Sequence, residues 1–233
     1  MGLGTLFVIT GASGVGKGTL IRRLLERVKL YYSVSMTTRP PRSGERHGID
    51  YWFVDRAEFL KLVGEGRFLE HAEYVGHFYG TPLDPVARRI ERGEDVLLEI
   101  EIQGAEQVMD RVKALGWPAA FVFIAPPSLS ELKRRLLVRS GELSREKLAE
   151  IARRLERAKE EIARARALDF DYLVVNDVLE DALTQLVALV RAERTRFTKN
   201  LSLLDRSLAA DPVLEQELEE MERWLMEHGR TGN

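Results

Sequence analysis

The sequence predicts an α/β protein whose core is a parallel sheet with helices on both faces, in three layers. Two features carry this prediction. Apolar runs at Leu6–Thr10, Val96–Ile100, Ala120–Ala125 and Tyr172–Val175 are nearly continuous, as strands covered on both faces must be. Helical patterns alternate with them at Lys17–Val28, Pro85–Arg92, Gln103–Leu115, Leu129–Val138, Ser144–Leu168 and Leu179–Arg196. Strand–helix alternation implies parallel strands joined by right-handed crossovers.

The first strand runs into Gly11-Ala12-Ser13-Gly14-Val15-Gly16-Lys17-Gly18-Thr19 and then directly into the first helix. Strand, glycine loop and helix are the context that a phosphate-binding P-loop requires. The glycines let backbone N–H groups turn inward around an oxyanion, and the helix aims its positive end at the same anion. Lys17 adds a mobile charge for terminal phosphates. The residue after this lysine is commonly Ser or Thr, whose hydroxyl reaches Mg²⁺. Here it is Gly18, and the hydroxyl comes one place later, at Thr19.

Two insertions break the alternation. From Tyr32 to Thr81 the pattern turns short and β-like, with pieces at Ser33–Ser35, Tyr51–Val54, Phe68–Glu70 and Glu73–Val75. The turn Arg39-Pro40-Pro41-Arg42-Ser43-Gly44 separates the first two pieces. From Ser128 to Leu168 the helices are rich in arginine. In an open parallel sheet, ligands bind at the carboxyl ends of the strands, and both insertions can overhang that edge. Beyond the last core helix, Asp211-Pro212 opens an acidic amphipathic pattern over Val213 to Glu227, expected to dock on the core or on a second subunit.

Composition narrows the chemistry. A formal net charge of −2 argues against a general nucleic-acid binder. With no cysteine there is no disulfide, thiol catalysis or cysteine zinc site, which suits a reducing cytoplasm. Four scattered histidines, His47, His71, His77 and His228, lack metal-ligand spacing. No apolar run approaches membrane-spanning length, and the first strand begins too early to leave room for a signal peptide.

Several blocks then resemble guanylate kinases: Ser33-Val34-Ser35-Met36-Thr37-Thr38-Arg39-Pro40-Pro41-Arg42-Ser43-Gly44-Glu45, Gly48-Ile49-Asp50-Tyr51-Trp52-Phe53-Val54, Phe68-Leu69-Glu70-His71-Ala72-Glu73-Tyr74, Tyr79-Gly80-Thr81-Pro82, Leu98-Glu99-Ile100-Glu101-Ile102-Gln103-Gly104-Ala105 and Val174-Val175-Asn176-Asp177. They follow the P-loop in that family's order, and the resemblance covers Leu3 to about Arg196. It implies a P-loop NTPase core (1–31, 82–126 and 169–197), a mixed α+β GMP-binding insertion (32–81), a helical lid (127–168) and a C-terminal helical extension (198–233).

The resemblance also implies roles. Arg39 and Arg42 would clamp the GMP phosphate, with Tyr51 and Tyr79 donating hydroxyls to it; arginine forks fit phosphate in bidentate fashion. Ser35, Glu70 and Thr81 would read guanine. A carboxylate accepts from N1–H and N2–H₂ together, whereas adenine would set its N1 lone pair against it. Glu101 stands where many relatives have Asp, near the guanine. Arg135, Arg139 and Arg154 match lid arginines that stabilise charge on the transferred phosphoryl group. Arg153, Arg154, Arg157, Glu156, Glu160 and Glu161 also fit ordinary i,i+4 pairs on an exposed helix. ATP would lie on the whole loop from Gly11 to Thr19, with Asn176 at its adenine and Thr19 as the weak protein contact to Mg²⁺, which is otherwise held by ATP phosphates and water. The implied reaction is Mg-dependent phosphoryl transfer from ATP to GMP or dGMP, with no nucleic-acid or membrane partner and a monomer–homodimer choice left open. Rival readings are a non-catalytic guanylate-kinase-like interaction module and a kinase for another nucleoside monophosphate.

Overall fold

The computed structural model describes residues 2–140 and 144–199, with side chains to 195. The expected helix over Val213 to Glu227 lies outside the described residues. Two compact units divide the described residues, 2–8 with 30–119, and 9–29 with the described residues from 120 on. Five strands form one sheet in the order β2-β7-β1-β8-β9. They are β1 (Leu6–Gly11), β2 (Tyr31–Tyr32), β7 (Val96–Glu99), β8 (Ala119–Ala125) and β9 (Tyr172–Val175). The β2–β7 and β8–β9 pairs are parallel. Every residue of β1 is buried, as the unbroken apolar run requires.

In the first unit a second sheet has the order β4-β3-β6-β5. Its strands are β3 (Met36–Thr37), β4 (Trp52–Phe53), β5 (Phe68–Tyr74) and β6 (His77–Pro82). The small sheet departs from the expected pieces, and β6 is an addition to them. Ser33–Ser35 is not a strand; the pairing starts at Met36, which lies opposite Gly80. The pieces Phe68–Glu70 and Glu73–Val75 are one strand to Tyr74, because β6 pairs along it antiparallel as far as His77. Between Phe68 and Glu70 the register shifts by a bulge, which leaves Phe68, Leu69 and Glu70 all buried. Helix α2 (Arg56–Gly64) is an addition to the expected elements, although its signal is legible: Asp55 caps it by accepting from the Glu58 N–H at 2.8 Å. Its buried Phe59 stacks on Phe68 and Phe78, at 4.4 and 5.4 Å between ring centres. This aromatic stack is the small subdomain's core. The unit also holds α3 (Leu83–Glu91) and α4 (Ile102–Leu115).

The second unit holds α1 (Lys17–Arg27), α5 (Leu129–Ser140), α6 (Arg145–Ala165) and α7 (Leu179–Lys199). Ser144 caps α6 through the Lys147 N–H. Among the described residues no helix is long and apolar enough to cross a membrane.

One turn is strained. Val75 joins β5 to β6 at φ 50°, a left-handed conformation that a β-branched residue rarely adopts. Its side chain is 77% exposed, so packing gives nothing back. Val75→Asn should raise stability by about 1 kcal/mol, or a few degrees of melting temperature; thermal denaturation of the variant beside the parent measures it.

Candidate active site

The glycine loop begins where β1 ends. Gly11 lies so close to β8 that a Cβ there would sit 2.5 Å from the Ile124 carbonyl oxygen. Gly14 and Gly16 take φ of 84° and 97°, which glycine alone adopts without strain. Gly16 is the N-cap of α1, and Lys17 is its first residue. The Lys17 ammonium donates to the Gly11 carbonyl at 3.2 Å, folding the side chain back across the loop. Gly18 and Thr19 follow, both exposed, so the Thr19 hydroxyl is accessible on the first helical turn. Ala12 and Val15 are buried and anchor the loop to the core.

Three supports hold this loop within its own unit. Asn176, expected at adenine, is buried, and its side-chain N–H donates to the Val15 carbonyl at 2.8 Å. Leu132 and Leu136 of α5 press on Gly14; a Cβ there would meet Leu136 at 2.9 Å. Glu161 of α6 accepts from the Ser13 N–H at 2.6 Å. Expected among exposed ion pairs, Glu161 is buried instead, because it falls on the α6 stripe that carries Ile151 and Ala158.

The three arginines expected in a lid differ in setting. Arg135 is anchored: its guanidinium donates to Glu131 (2.7 Å), to the Asn176 carbonyl (2.6 Å) and to the Asp177 carbonyl and carboxylate (3.0 and 3.1 Å). Arg134 and Arg135 together hold the Glu131 carboxyl down at about 2. Arg139 is exposed. Arg154 is exposed and pairs with Glu150 at 2.5 Å, a contact of the kind worth under about 1 kcal/mol and readily exchanged for a better anion.

In the first unit, the residues expected to bind GMP lie on or beside the small sheet. Arg39 lies 5.5 Å from the centre of the Tyr51 ring, and Tyr51 packs edge-on against Tyr79 at 6.0 Å. Glu45 accepts from Arg39 at 2.9 Å and from the Arg42 N–H at 2.7 Å, fixing the guanidinium; these bonds hold the Glu45 carboxyl below its usual range. Burial raises the Tyr51 hydroxyl pKa, with Tyr79 adding to the effect, so Tyr51 keeps its proton and can donate. The Arg42 side chain is exposed. Ser35 is half-buried, and its carbonyl accepts from the Trp52 N–H.

Glu70 is the most constrained group. It is 6% exposed, and the Thr81 hydroxyl donates to its Oε1 at 2.7 Å. Burial pushes its carboxyl up to about 7 against the bonds from Thr81, with the Glu101 charge adding to the rise. Glu101 is the exposed N-cap of α4. Two further supports escape the sequence reading. Gly104 lets α4 approach: a Cβ there would lie 2.7 Å from Glu70 Oε2. The Gln107 amide pairs with the His71 backbone, accepting at 3.1 Å and donating at 2.9 Å, and so clamps β5 to α4 beside Glu70. Gly104 stands inside one of the motif blocks; Gln107 carries no sequence signal. Among the described residues no cluster of three His, Cys, Asp or Glu could hold a metal.

The chain is similar to known proteins over most of its length. The family model described as guanylate kinase matches residues 4–193. A guanylate kinase of Thermus thermophilus is 55% identical over 230 residues, covering 99% of each chain. That of Deinococcus radiodurans is 52% identical over 193 residues, 83% of this chain and 77% of the relative. The crystal structure of guanylate kinase from Anaplasma phagocytophilum superposes with a TM-score of 0.64 at 35% identity, covering 82% of this chain and 87% of that one. A match across most of the chain, at such identity, shows that it belongs to the guanylate kinase family.

Proposed function

We propose that this chain transfers the γ-phosphate of ATP to GMP, giving ADP and GDP. The observation that carries the reading is Glu70: a buried carboxylate, held by Thr81, in the same subdomain as the Arg39–Tyr51–Tyr79 cluster. A guanine edge with two donors and a phosphate with three acceptor oxygens are the ligands those two groups suit. ATP takes the P-loop, with its phosphates on the loop amides and Lys17. A GMP phosphate oxygen, already anionic, attacks the γ-phosphorus in line; the bond from phosphorus to the β–γ bridging oxygen breaks, and ADP leaves. No general base is required. Lys17, Arg139 and Arg154 balance the charge on the transferred group, while Arg135 supports the loop from its anchored position.

Mg²⁺ would arrive as the ATP complex and neutralise charge between the β- and γ-phosphates. This chain's fitting donor is the exposed Thr19 hydroxyl, a hard oxygen on the first turn of α1. A cytoplasmic site of action follows from these substrates. The test is ADP formation from ATP with GMP, dGMP, AMP and dTMP in turn. Turnover with GMP is expected. Turnover with AMP but not GMP would overturn the assignment, and turnover with none would favour a non-catalytic interaction module.

A further inference from the structure

The geometry points to Glu161 as a positioning residue that sets the P-loop for ATP and aims the lid helix over it; this rests on the phosphotransferase reading above. A buried carboxylate is costly unless it is paired on all sides. Glu161 has 6% of its side chain exposed, and its two oxygens meet two different partners: Oε2 takes the Ser13 N–H at 2.6 Å and Oε1 takes Arg157 Nε at 2.9 Å. Charge-assisted bonds of this kind are about twice as strong as neutral ones. The Ser13 amide is thereby withdrawn from the loop donors that can face a phosphate, as the Val15 and Thr19 amides are by the Ala12 and Gly16 carbonyls, and the loop's register is fixed before ATP arrives. Arg157 offsets the negative charge, so the carboxylate does not repel the nucleotide.

The same contact orients α6. Arg154 precedes Glu161 by seven residues, which places it on the same helix face about 10 Å along the axis. A helix pinned to the loop at Glu161 therefore presents Arg154 at a set distance from the donor phosphates.

Reach and charge make opposite predictions for two variants. Glu161→Gln keeps an acceptor for the Ser13 N–H at the same reach and gives up the bond from Arg157. Glu161→Asp keeps the charge but is one methylene short of Ser13. Steady-state kinetics of these variants and Glu161→Ala, with ATP and GMP each varied, separate the cases. The expected order in kcat/KM for ATP is Gln above Asp and Ala. The latter two should lose about tenfold or more, with KM for ATP raised and the GMP dissociation constant within about twofold of the parent. Values for ATP within twofold of the parent in all three variants would overturn the proposal. So would Asp outperforming Gln, or equal shifts for ATP and GMP that track a lost melting temperature. If the alanine variant fails to fold, the Gln–Asp comparison decides alone. Should the parent phosphorylate no monophosphate, the phosphotransferase reading falls. Direct binding of ATP to the Gln and Asp variants then still tests Glu161 by the same order.

Discussion

Lys17→Ala is expected to lower kcat by about 10³-fold while the protein stays folded. A single preorganised charge at a developing anion is worth two to three orders of magnitude in rate, and phosphoryl transfer relies on such charges more than on covalent chemistry. Lys17 opens α1, and its ammonium contacts the Gly11 carbonyl. That contact holds the charge over the loop and contributes little to the core, which is made here by Leu20, Ile21 and Leu24 of α1. Truncation should therefore leave the melting temperature close to the parent's. Lys17→Arg should not rescue turnover: the planar guanidinium needs more room than a compact ammonium folded against a backbone carbonyl. Initial rates of ADP formation under saturating GMP, beside thermal denaturation, check both statements. Turnover within tenfold of the parent in a folded alanine variant would remove Lys17 from the mechanism.

How far the site can be read in advance follows from where each group's constraint originates. The P-loop is legible because its demands are local: positive φ at Gly14 and Gly16 and a Cβ-free approach at Gly11 require glycine whatever the surroundings. The core strands are legible because burial on both faces writes itself as an apolar run. The small sheet is read less well. Strand β6 and the length of β5 depend on pairing with each other, and His71 and Ala72, between the two expected pieces, carry little strand signal of their own. Among the candidate site residues, those expected at the P-loop and at GMP lie in motif blocks, whereas the lid arginines and most of the groups that hold the site do not. Gln107 looks like any helix-surface glutamine until β5 lies beside it. Glu161 stands in a run of ion-pairing residues, and only packing shows which carboxylate of Glu156, Glu160 and Glu161 turns inward. Asn176 stands in a motif, but its partner Val15 is 161 positions away in the sequence.

Glu70 makes the protein trade stability for recognition, and pH should expose the trade. Its carboxyl is pushed up to about 7 from an ordinary 4.5, chiefly by burial. An acid whose folded value is raised binds more protons folded than unfolded. Its protonation then favours the native state most below pH about 4.5, and that stabilisation is lost as pH rises through about 7. The full span corresponds to roughly 3 kcal/mol. Glu70→Gln cannot ionise, so it should match the parent near pH 4 and exceed it in melting temperature near pH 8. Recognition runs the other way. Only the ionised carboxylate accepts from both guanine donors, so GMP affinity should rise between pH 5.5 and 7.5, approaching tenfold per unit below the transition. The second ionisation of the GMP phosphate, near 6, also contributes; guanosine, which lacks the phosphate, isolates the Glu70 part. In Glu70→Gln the amide N–H₂ meets a guanine donor, and kcat/KM for GMP should fall by about 10²-fold or more above pH about 7, the deficit narrowing at lower pH as the parent's own carboxyl takes up its proton, with the variant's guanosine profile flat. Calorimetric titration of guanosine across this range, with melting curves of both proteins, reads the two effects together. A guanosine affinity independent of pH in the parent, or a glutamine variant no more stable than the parent at pH 8, would mean that Glu70 is already ionised in the free protein. The thermodynamic cost of holding a buried carboxylate ready for guanine would then have to be met elsewhere, by bonds to the charged form stronger than the one from Thr81.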